Sequence, residues 1–215
     1  MASPQLPLGD DLYLAAHDNA KGRCMLSPAT LGLGLASALL GELVLWRRLD
    51  IRENSLVVID NRPTADPATS AVLENLLREG QHRAVRDWIA FLATGVATDL
   101  IERRLARAGA VRRQEKRGLL GTKVRFVPTE PALAAWPGTR IRIAATRGEL
   151  LDSADLVLTG LVLATGLDQY VLVTLESRER DQLFDQMRRR LPAMLQHLVG
   201  HAEAAVGDAV MARRA

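Results

Sequence analysis

The chain has 215 residues, of which 48% are hydrophobic and 25% charged, and its formal net charge at pH 7 is +3. This length can bury one sizeable hydrophobic core, and no linker rich in Pro, Gly or Ser divides it, so we expect a single domain over residues 1–215 with its core at about 8–211. A single cysteine, Cys24, excludes an intramolecular disulfide, and the amino terminus lacks the basic and apolar regions of a secretory signal. We therefore expect a cytoplasmic protein.

The first long predicted element is an apolar helix that starts at Ser27-Pro28, a capping residue followed by a proline at the first helical position. It continues to Trp46 and is apolar almost all round, interrupted by Glu42. The uncharged run at 25–41 is shorter than the roughly 20 residues that span a bilayer. We therefore expect a buried helix that several other helices cover, and no membrane span.

Further along the chain, the pattern predicts a β-hairpin and then only helices up to residue 108. The hairpin pairs 49–52 with 56–59, and the helices cover 67–78, about 82–93, and 97–108 with Gly109 as the residue that ends the helix. The C-terminal third predicts helices at about 132–145, bent at Trp136-Pro137, and at 154–167, 178–191 and 192–212. The predicted fold class is mainly α, a central helical bundle surrounded by amphipathic helices, with two small β-hairpins.

The second hairpin lies in the segment from Leu100 to Arg125, which holds nine Arg or Lys residues and two Glu, a local net charge of +7. Residues 111–113 and 124–127 are its predicted strands, and Gly118-Leu119-Leu120-Gly121 is its apolar tip. An anionic membrane surface satisfies both the exposed leucines and the cations. The predicted lipid- or anion-binding residues are Arg112, Arg113, Lys116, Arg117 and Lys123. Leu119 and Leu120 are the predicted residues for membrane insertion or for an oligomer contact.

Three other interpretations of this basic segment remain open. The helix at 97–108 followed by a hairpin has the layout of a winged-helix DNA-binding protein, although a Leu-Leu wing tip does not suit a nucleic acid, which would satisfy only the charge. The leucines can instead be buried in a second copy of the chain, which would give a homo-oligomer through the hairpin, in competition with membrane binding. The segment can also be a solvated surface without a partner.

No catalytic constellation is present in the sequence. There is no Gly-x-Ser-x-Gly, no phosphate-binding Walker loop and no Cys-x-x-Cys. His197 and His201 stand four apart without the glutamate of zinc-protease motifs, and the acidic pairs Asp10-Asp11 and Asp152/Asp155 fit helix caps and first-turn acids. We therefore predict a non-enzymatic protein with no catalytic residue, no cofactor and no metal site.

Several short motifs occur in a specific order along the chain. They are Leu12-Tyr13-Leu14, the run from Leu39 to Leu45 before Arg48-Leu49, the run from Arg62 to Pro67, Trp88-Ile89, and the run from Leu105 to Val111. Together they resemble the Golgi phosphoprotein family, including its bacterial, actinobacterial-type relatives, over about residues 8–211. The resemblance implies a mostly helical domain and peripheral membrane binding, here at the inner face of the membrane.

The resemblance also implies a head-group pocket beside a membrane-inserting hairpin. In eukaryotic members this pocket holds phosphatidylinositol 4-phosphate with one tryptophan and three arginines. The positions that correspond here are Ser27, Ala36, Gly95 and Thr98, so none of the four residues matches. The hairpin does carry over, with Leu119 and Leu120 at its tip. The resemblance therefore favours an anionic lipid as partner without identifying the lipid.

Overall fold

The structure is a computed structural model that describes residues 6–18, 21–79, 83–118 and 121–213, and at 116–118 and 121–123 it describes the backbone alone. Within these residues the helices are α1 (Leu8–Ala15), α2 (Pro28–Leu45), α3 (Pro67–Glu79), α4 (Val85–Leu92), α5 (Val96–Arg107), α6 (Pro131–Thr146), α7 (Ser153–Ala164), α8 (Asp168–Val171), α9 (Ser177–Arg190) and α10 (Ala193–Met211). The strands are β1 (Leu49–Arg52), β2 (Ser55–Val58), β3 (Val111–Gly118) and β4 (Gly121–Pro128). They form two separate antiparallel hairpins, β1-β2 and β3-β4, which confirms the predicted mainly α fold class.

Helix α2 is the centre of the core. It begins as predicted, because the hydroxyl oxygen of Ser27 accepts the backbone N–H of Thr30 at 3.1 Å and Pro28 occupies the first turn. Every residue from Thr30 to Val44 is buried, and α1, α3, α4, α5, α7 and α10 all pack against the helix. By length and mean hydropathy α2 is the one helix in the described part of the chain that could cross a bilayer, yet 83% of it is buried inside the protein. It is a core helix.

Helix α5 ends in a way that fixes the start of the second hairpin. Gly109 has a φ of +70°, a conformation that glycine adopts without a Cβ penalty, and this confirms its predicted role. The N–H of Ala110 donates to the carbonyl of Leu105 at 2.9 Å, which closes the last turn. Strand β3 therefore leaves α5 after a single tight turn.

Some predicted boundaries move for identifiable reasons. Helix α4 starts at Val85 and not near residue 82, because Ala84 pairs with Ser55 and the N–H of Val85 donates to the carbonyl of Asn54 at 2.8 Å. The helix predicted at 154–167 stops at Ala164, because Gly166 adopts a φ of +73°. Helix α6 continues through Pro137. Helix α1 was not predicted as an element, because eight residues carry little periodic signal.

Candidate functional site

The basic hairpin, defined as β3, β4 and the residues between them (111–128), is joined directly to the helical body at both ends. Strand β3 follows α5, and α6 begins three residues after β4. At its base Val111 and Val127 are buried, and the N–H of Thr129 donates to the carbonyl of Ala110 at 2.9 Å. The base of the hairpin is thus part of the core.

Beyond its base the hairpin is exposed on both faces at the positions whose side chains the structure describes, except Phe126. Residues 112–115 on β3 and both Val124 and Arg125 on β4 are exposed, so the alternation of a half-buried strand is missing. The helical body touches the hairpin mainly through α5 and α6, the two elements that lead into and out of it. A two-stranded ribbon therefore stands away from the helices, as a contact surface requires.

The strand register divides the cations between the two faces of the ribbon. Gln114 pairs with Arg125, and Lys116 with Lys123, whereas Arg113 pairs with Phe126. Because side chains alternate along a strand, one face holds Arg112, Arg125 and the register positions of Lys116 and Lys123. We call it the basic face. The other face holds Arg113, Glu115, Val124, Phe126 and the register position of Arg117.

The predicted site residues are thus not equivalent. Arg112 is exposed on the basic face, whereas Arg113 lies on the opposite face and forms an ion pair with Glu115, at 3.0 Å between Nη1 and Oε1. The structure describes Lys116, Arg117 and Lys123 by their backbone alone, without their side chains. Leu119 and Leu120 lie outside the described residues. The roles of these five residues stay predictions.

A cavity of about 510 Å³ opens between β4, α1, α5 and the segment before α2. Two arginines line it, Arg23 from that segment and Arg125 from β4, together with Thr98 and Glu102 of α5 and Tyr13 of α1. The hydroxyl oxygen of Tyr13 lies 3.0 Å from Glu102 Oε1 and 3.0 Å from the carbonyl oxygen of Phe126, within hydrogen-bond distance of both. The cavity therefore adjoins the basic hairpin and shares Arg125 with it.

Burial favours the neutral form of several titratable groups in the cavity wall. It raises the pKa of Tyr13 and of the Cys24 thiol, and it lowers the pKa of His17, whose ring stacks on Tyr13 with 4.4 Å between centroids. Burial also raises the pKa of Glu102, although the hydrogen bond from Tyr13 opposes this. Glu102 is the acidic residue that lines the cavity together with the two arginines.

One arginine of the basic segment is not a surface cation at all. The Arg104 side chain is only 10% exposed, with Nε 2.7 Å from Asp10, Nη2 2.8 Å from Glu42 and Nη1 3.0 Å from Asp66. The local charge of +7 therefore overstates what the surface offers, because Arg104 is neutralised inside the protein by three acidic residues that lie far away in sequence.

Asp10 and Asp11 confirm one part of the prediction and not the other. Both lie in the first turn of α1, as expected of first-turn acids, but neither acts as a cap. Asp10 binds Arg104, and Asp11 Oδ2 lies 2.7 Å from Nη2 of Arg140, which also contacts Asp155. Asp152, in contrast, caps α7 as predicted, accepting the N–H of Asp155 at 2.8 Å.

Comparison with known families finds that the family model described as Golgi phosphoprotein 3 (GPP34) matches residues 8–212. The chain belongs to the GPP34 family. The matched range includes the basic hairpin, the cavity, Arg104 and Arg140, and it agrees with the range of the resemblance. GPP34 membership is consistent with a non-enzymatic, membrane-associated role. No curated protein matches the chain.

Three of the four positions that correspond to the head-group pocket implied by the resemblance have structural roles in this GPP34 chain. Ser27 caps α2, Ala36 is fully buried, and Gly95 precedes α5 with a φ of +120°. Only Thr98 lines the cavity beside the hairpin. Arg23 and Arg125 come from different segments, so position-by-position transfer missed them. Arg125 was visible as part of the basic segment, whereas Arg23 belongs to no motif.

Proposed function

We propose that this GPP34 protein is a non-enzymatic peripheral membrane-binding protein that contacts anionic lipid head groups through the basic face of its hairpin. Leu119 and Leu120 would enter the interfacial region of the bilayer. The observation that carries the proposal is the exposure of residues 112–115, Val124 and Arg125 on the ribbon, with Arg112 and Arg125 on one face. The site of action would be the inner, cytoplasmic face of the membrane.

The energies support reversible attachment. Each cation near an anionic surface contributes about 1 kcal/mol at low salt. Full burial of a leucine side chain contributes roughly 1.5–3 kcal/mol, and partial insertion contributes less. Neither contribution alone gives durable binding, so the association should need both and should weaken as salt rises.

The charge of the cavity bears on the type of lipid. Arg23 and Arg125 face Glu102, so the cavity carries a small positive charge and lacks the three arginines that the resemblance implies for phosphatidylinositol 4-phosphate. A head group with one negative charge, such as phosphatidylglycerol, suits this balance better than a head group with several. We therefore expect general recognition of anionic lipid.

The test is co-sedimentation with phosphatidylcholine vesicles that contain or lack phosphatidylglycerol. We expect binding only to the anionic vesicles, and loss of binding in the double variant Leu119→Asp, Leu120→Asp. The charge reversal Arg112→Glu should also weaken binding, whereas Arg178→Glu, a reversal at an exposed position on α9, should have little effect. Equal binding by all four proteins would contradict the proposal. A parallel set of vesicles with phosphatidylinositol 4-phosphate tests the preference for singly charged head groups.

Experiments on the same proteins also test two alternative partners, a second copy of the chain and duplex DNA. Both strands of the ribbon are edge strands among the described residues, and such edges can pair with a second copy. An oligomer in light scattering that the Leu119→Asp, Leu120→Asp variant converts to a monomer, without vesicle binding, would favour that interpretation. Binding to duplex DNA with a steep salt dependence would favour the winged-helix interpretation.

A further inference from the structure

Helix α1 reaches both arms of the basic hairpin. Its eight residues are all buried, and it packs against α2, α5, α6 and α7. Helix α5 leads into β3, and α6 follows β4, so these two helices are the roots of the hairpin. Three neighbouring residues of α1, namely Asp10, Asp11 and Tyr13, bind these roots. We call this trio the clamp.

The first contact of the clamp holds α5. Asp10 Oδ1 accepts a hydrogen bond from Nε of Arg104, in the last turn of α5, at 2.7 Å. Glu42 and Asp66 approach the same guanidinium from α2 and from the segment before α3. Glu42 also accepts the N–H of Gly9 at 2.8 Å, so the start of α1 and the last turn of α5 share one carboxylate of α2.

The second contact holds α6, on the other side of the hairpin. Asp11 Oδ2 accepts a hydrogen bond from Nη2 of Arg140 at 2.7 Å. The Arg140 Nε atom donates to Asp155 Oδ1 of α7 at 3.0 Å. Because Asp10 and Asp11 are consecutive, a single turn of α1 fixes both roots relative to each other.

The third contact reaches the hairpin itself. The hydroxyl oxygen of Tyr13 lies 3.0 Å from the carbonyl oxygen of Phe126 on β4 and 3.0 Å from Glu102 on α5. This side chain therefore links β4 to the root on the opposite arm. His17 stacks on its ring and Cys24 lies in the same cavity wall.

We propose that α1 clamps the basic hairpin by both of its arms, and that loss of protons from Asp10 and Asp11 loosens this clamp. The inference rests on the proposed membrane role of the hairpin and adds its regulation. A docked α1 holds the ribbon in one orientation, which lowers the ordering cost when the ribbon meets a membrane. When α1 is loosened, the ribbon must be ordered during membrane binding itself, so the affinity for the membrane is lower.

The direction of the pH effect follows from burial. Desolvation raises the pKa of Asp10 to about 7 and that of Asp11 to about 6, both from 3.8, although Arg104 and Arg140 act in the opposite direction. The other acids facing them, Glu42, Asp66 and Asp155, raise the two pKa values further. In a released α1 the two carboxyl groups titrate near their ordinary pKa. Docked α1 therefore retains protons that released α1 loses, so docking weakens as pH rises through 6 to 7.

Amide hydrogen exchange of the full chain, without lipid, tests the clamp directly. After correction for intrinsic rates, opening of α1 should increase about tenfold between pH 6 and pH 8 because of Asp10 alone, and somewhat more with Asp11. In Asp10→Asn, a neutral residue of the same shape, the increase should fall to about twofold. Asp181→Asn, at an exposed position on α9, is the control and should keep the full increase. The same protection at both pH values in the native protein, or a tenfold increase retained in Asp10→Asn, would refute the clamp.

The link to the hairpin has its own readout. Exchange at Val127 and Thr129, at the base of the hairpin, should follow the pH dependence of α1 in the native protein. In Tyr13→Phe this dependence should be lost at the hairpin base and kept in α1. Exchange at the base that ignores pH in the native protein would separate α1 from the hairpin and overturn the inference.

Vesicle binding at the two pH values distinguishes this inference from the proposed function. Phosphatidylglycerol keeps its charge between pH 6 and pH 8, so native binding should weaken severalfold at pH 8, and Asp10→Asn should bind equally at both. Absence of binding at both pH values would contradict the proposed function, while the exchange results would still test the clamp. Equal binding by the native protein at both pH values would refute the regulatory role.

Discussion

Arg104 and Arg112 belong to the same basic segment, yet the protein uses them in opposite ways. Arg104 lies on the inner side of α5 and binds three acidic side chains, whereas Arg112 lies on the ribbon and is exposed. Removing the first from its partners would leave buried acids without a counter-ion, while the second has no comparable structural role to lose. The charge of a sequence segment is therefore a poor measure of the charge that a partner meets.

The largest effect should come from the buried arginine. Arg104→Met leaves Asp10, Glu42 and Asp66 without their cation, so we expect a loss of about 3–5 kcal/mol in the free energy of unfolding. Urea denaturation at pH 7 measures it. Arg103→Met, one residue away and exposed, should change stability by no more than about 0.5 kcal/mol. Similar losses of unfolding free energy in the two variants would contradict the distinction between the two arginines.

The exposed arginines should affect binding and leave stability nearly unchanged. In the double variant Arg112→Ala, Arg125→Ala, we expect weaker binding to phosphatidylglycerol vesicles by about 2 kcal/mol at low salt, or roughly 30-fold. The free energy of unfolding should stay within about 0.5 kcal/mol of the native value. A stability loss comparable to that of Arg104→Met would show that these side chains support the fold.

The pH dependence of stability sharpens the comparison at the buried site. Because the pKa of Asp10 is raised to about 7 in the folded protein, unfolding releases its proton at neutral pH. The free energy of unfolding should therefore increase by about 1–2 kcal/mol when the pH is lowered from 8 to 6. Denaturation of Asp10→Asn should show a much smaller increase. An equally large increase in that variant would assign the proton uptake to another group.

The smallest effect should come from the acid on the ribbon. Glu115→Gln frees Arg113 from its ion pair, and both side chains are more than half exposed. Vesicle binding at low salt should become up to about fivefold tighter, which corresponds to about 1 kcal/mol per added charge. Stability should barely change, because exposed pairs contribute little. Unchanged binding would indicate that only the basic face meets the membrane.

Local signals in the sequence predicted much of the fold. The Ser27-Pro28 start of α2 and the Gly109 end of α5 depend on neighbouring residues alone, and both were predicted correctly. The hairpin at 111–128 was also predicted, although its strands are longer than the pattern indicated. Features that depend on neighbouring residues can be predicted from the sequence pattern.

The buried ion pairs were missed because their partners lie far apart in sequence. Arg104 follows Asp10 by 94 residues and Glu42 by 62, and no periodic pattern connects them. One signal was present, since a glutamate that stays charged inside a helix that is apolar all round needs a partner such as a cation. The sequence did not indicate which of its many arginines would supply it. Arg23 in the cavity was missed for a similar reason.

The ion pair of Glu42 and Arg104 also affects how the chain folds during its synthesis, because Glu42 is made first. When the ribosome has added Glu42, near the C-terminal end of α2, the cation for this carboxylate is still 62 residues from being added. Until α5 emerges, the nascent α2 is a long apolar segment with an unmatched charge, which disfavours its burial. Translation must therefore reach at least about the midpoint of the chain before α2 can pack into the core with its charge paired. Until then, chaperones that bind exposed apolar segments can act on it.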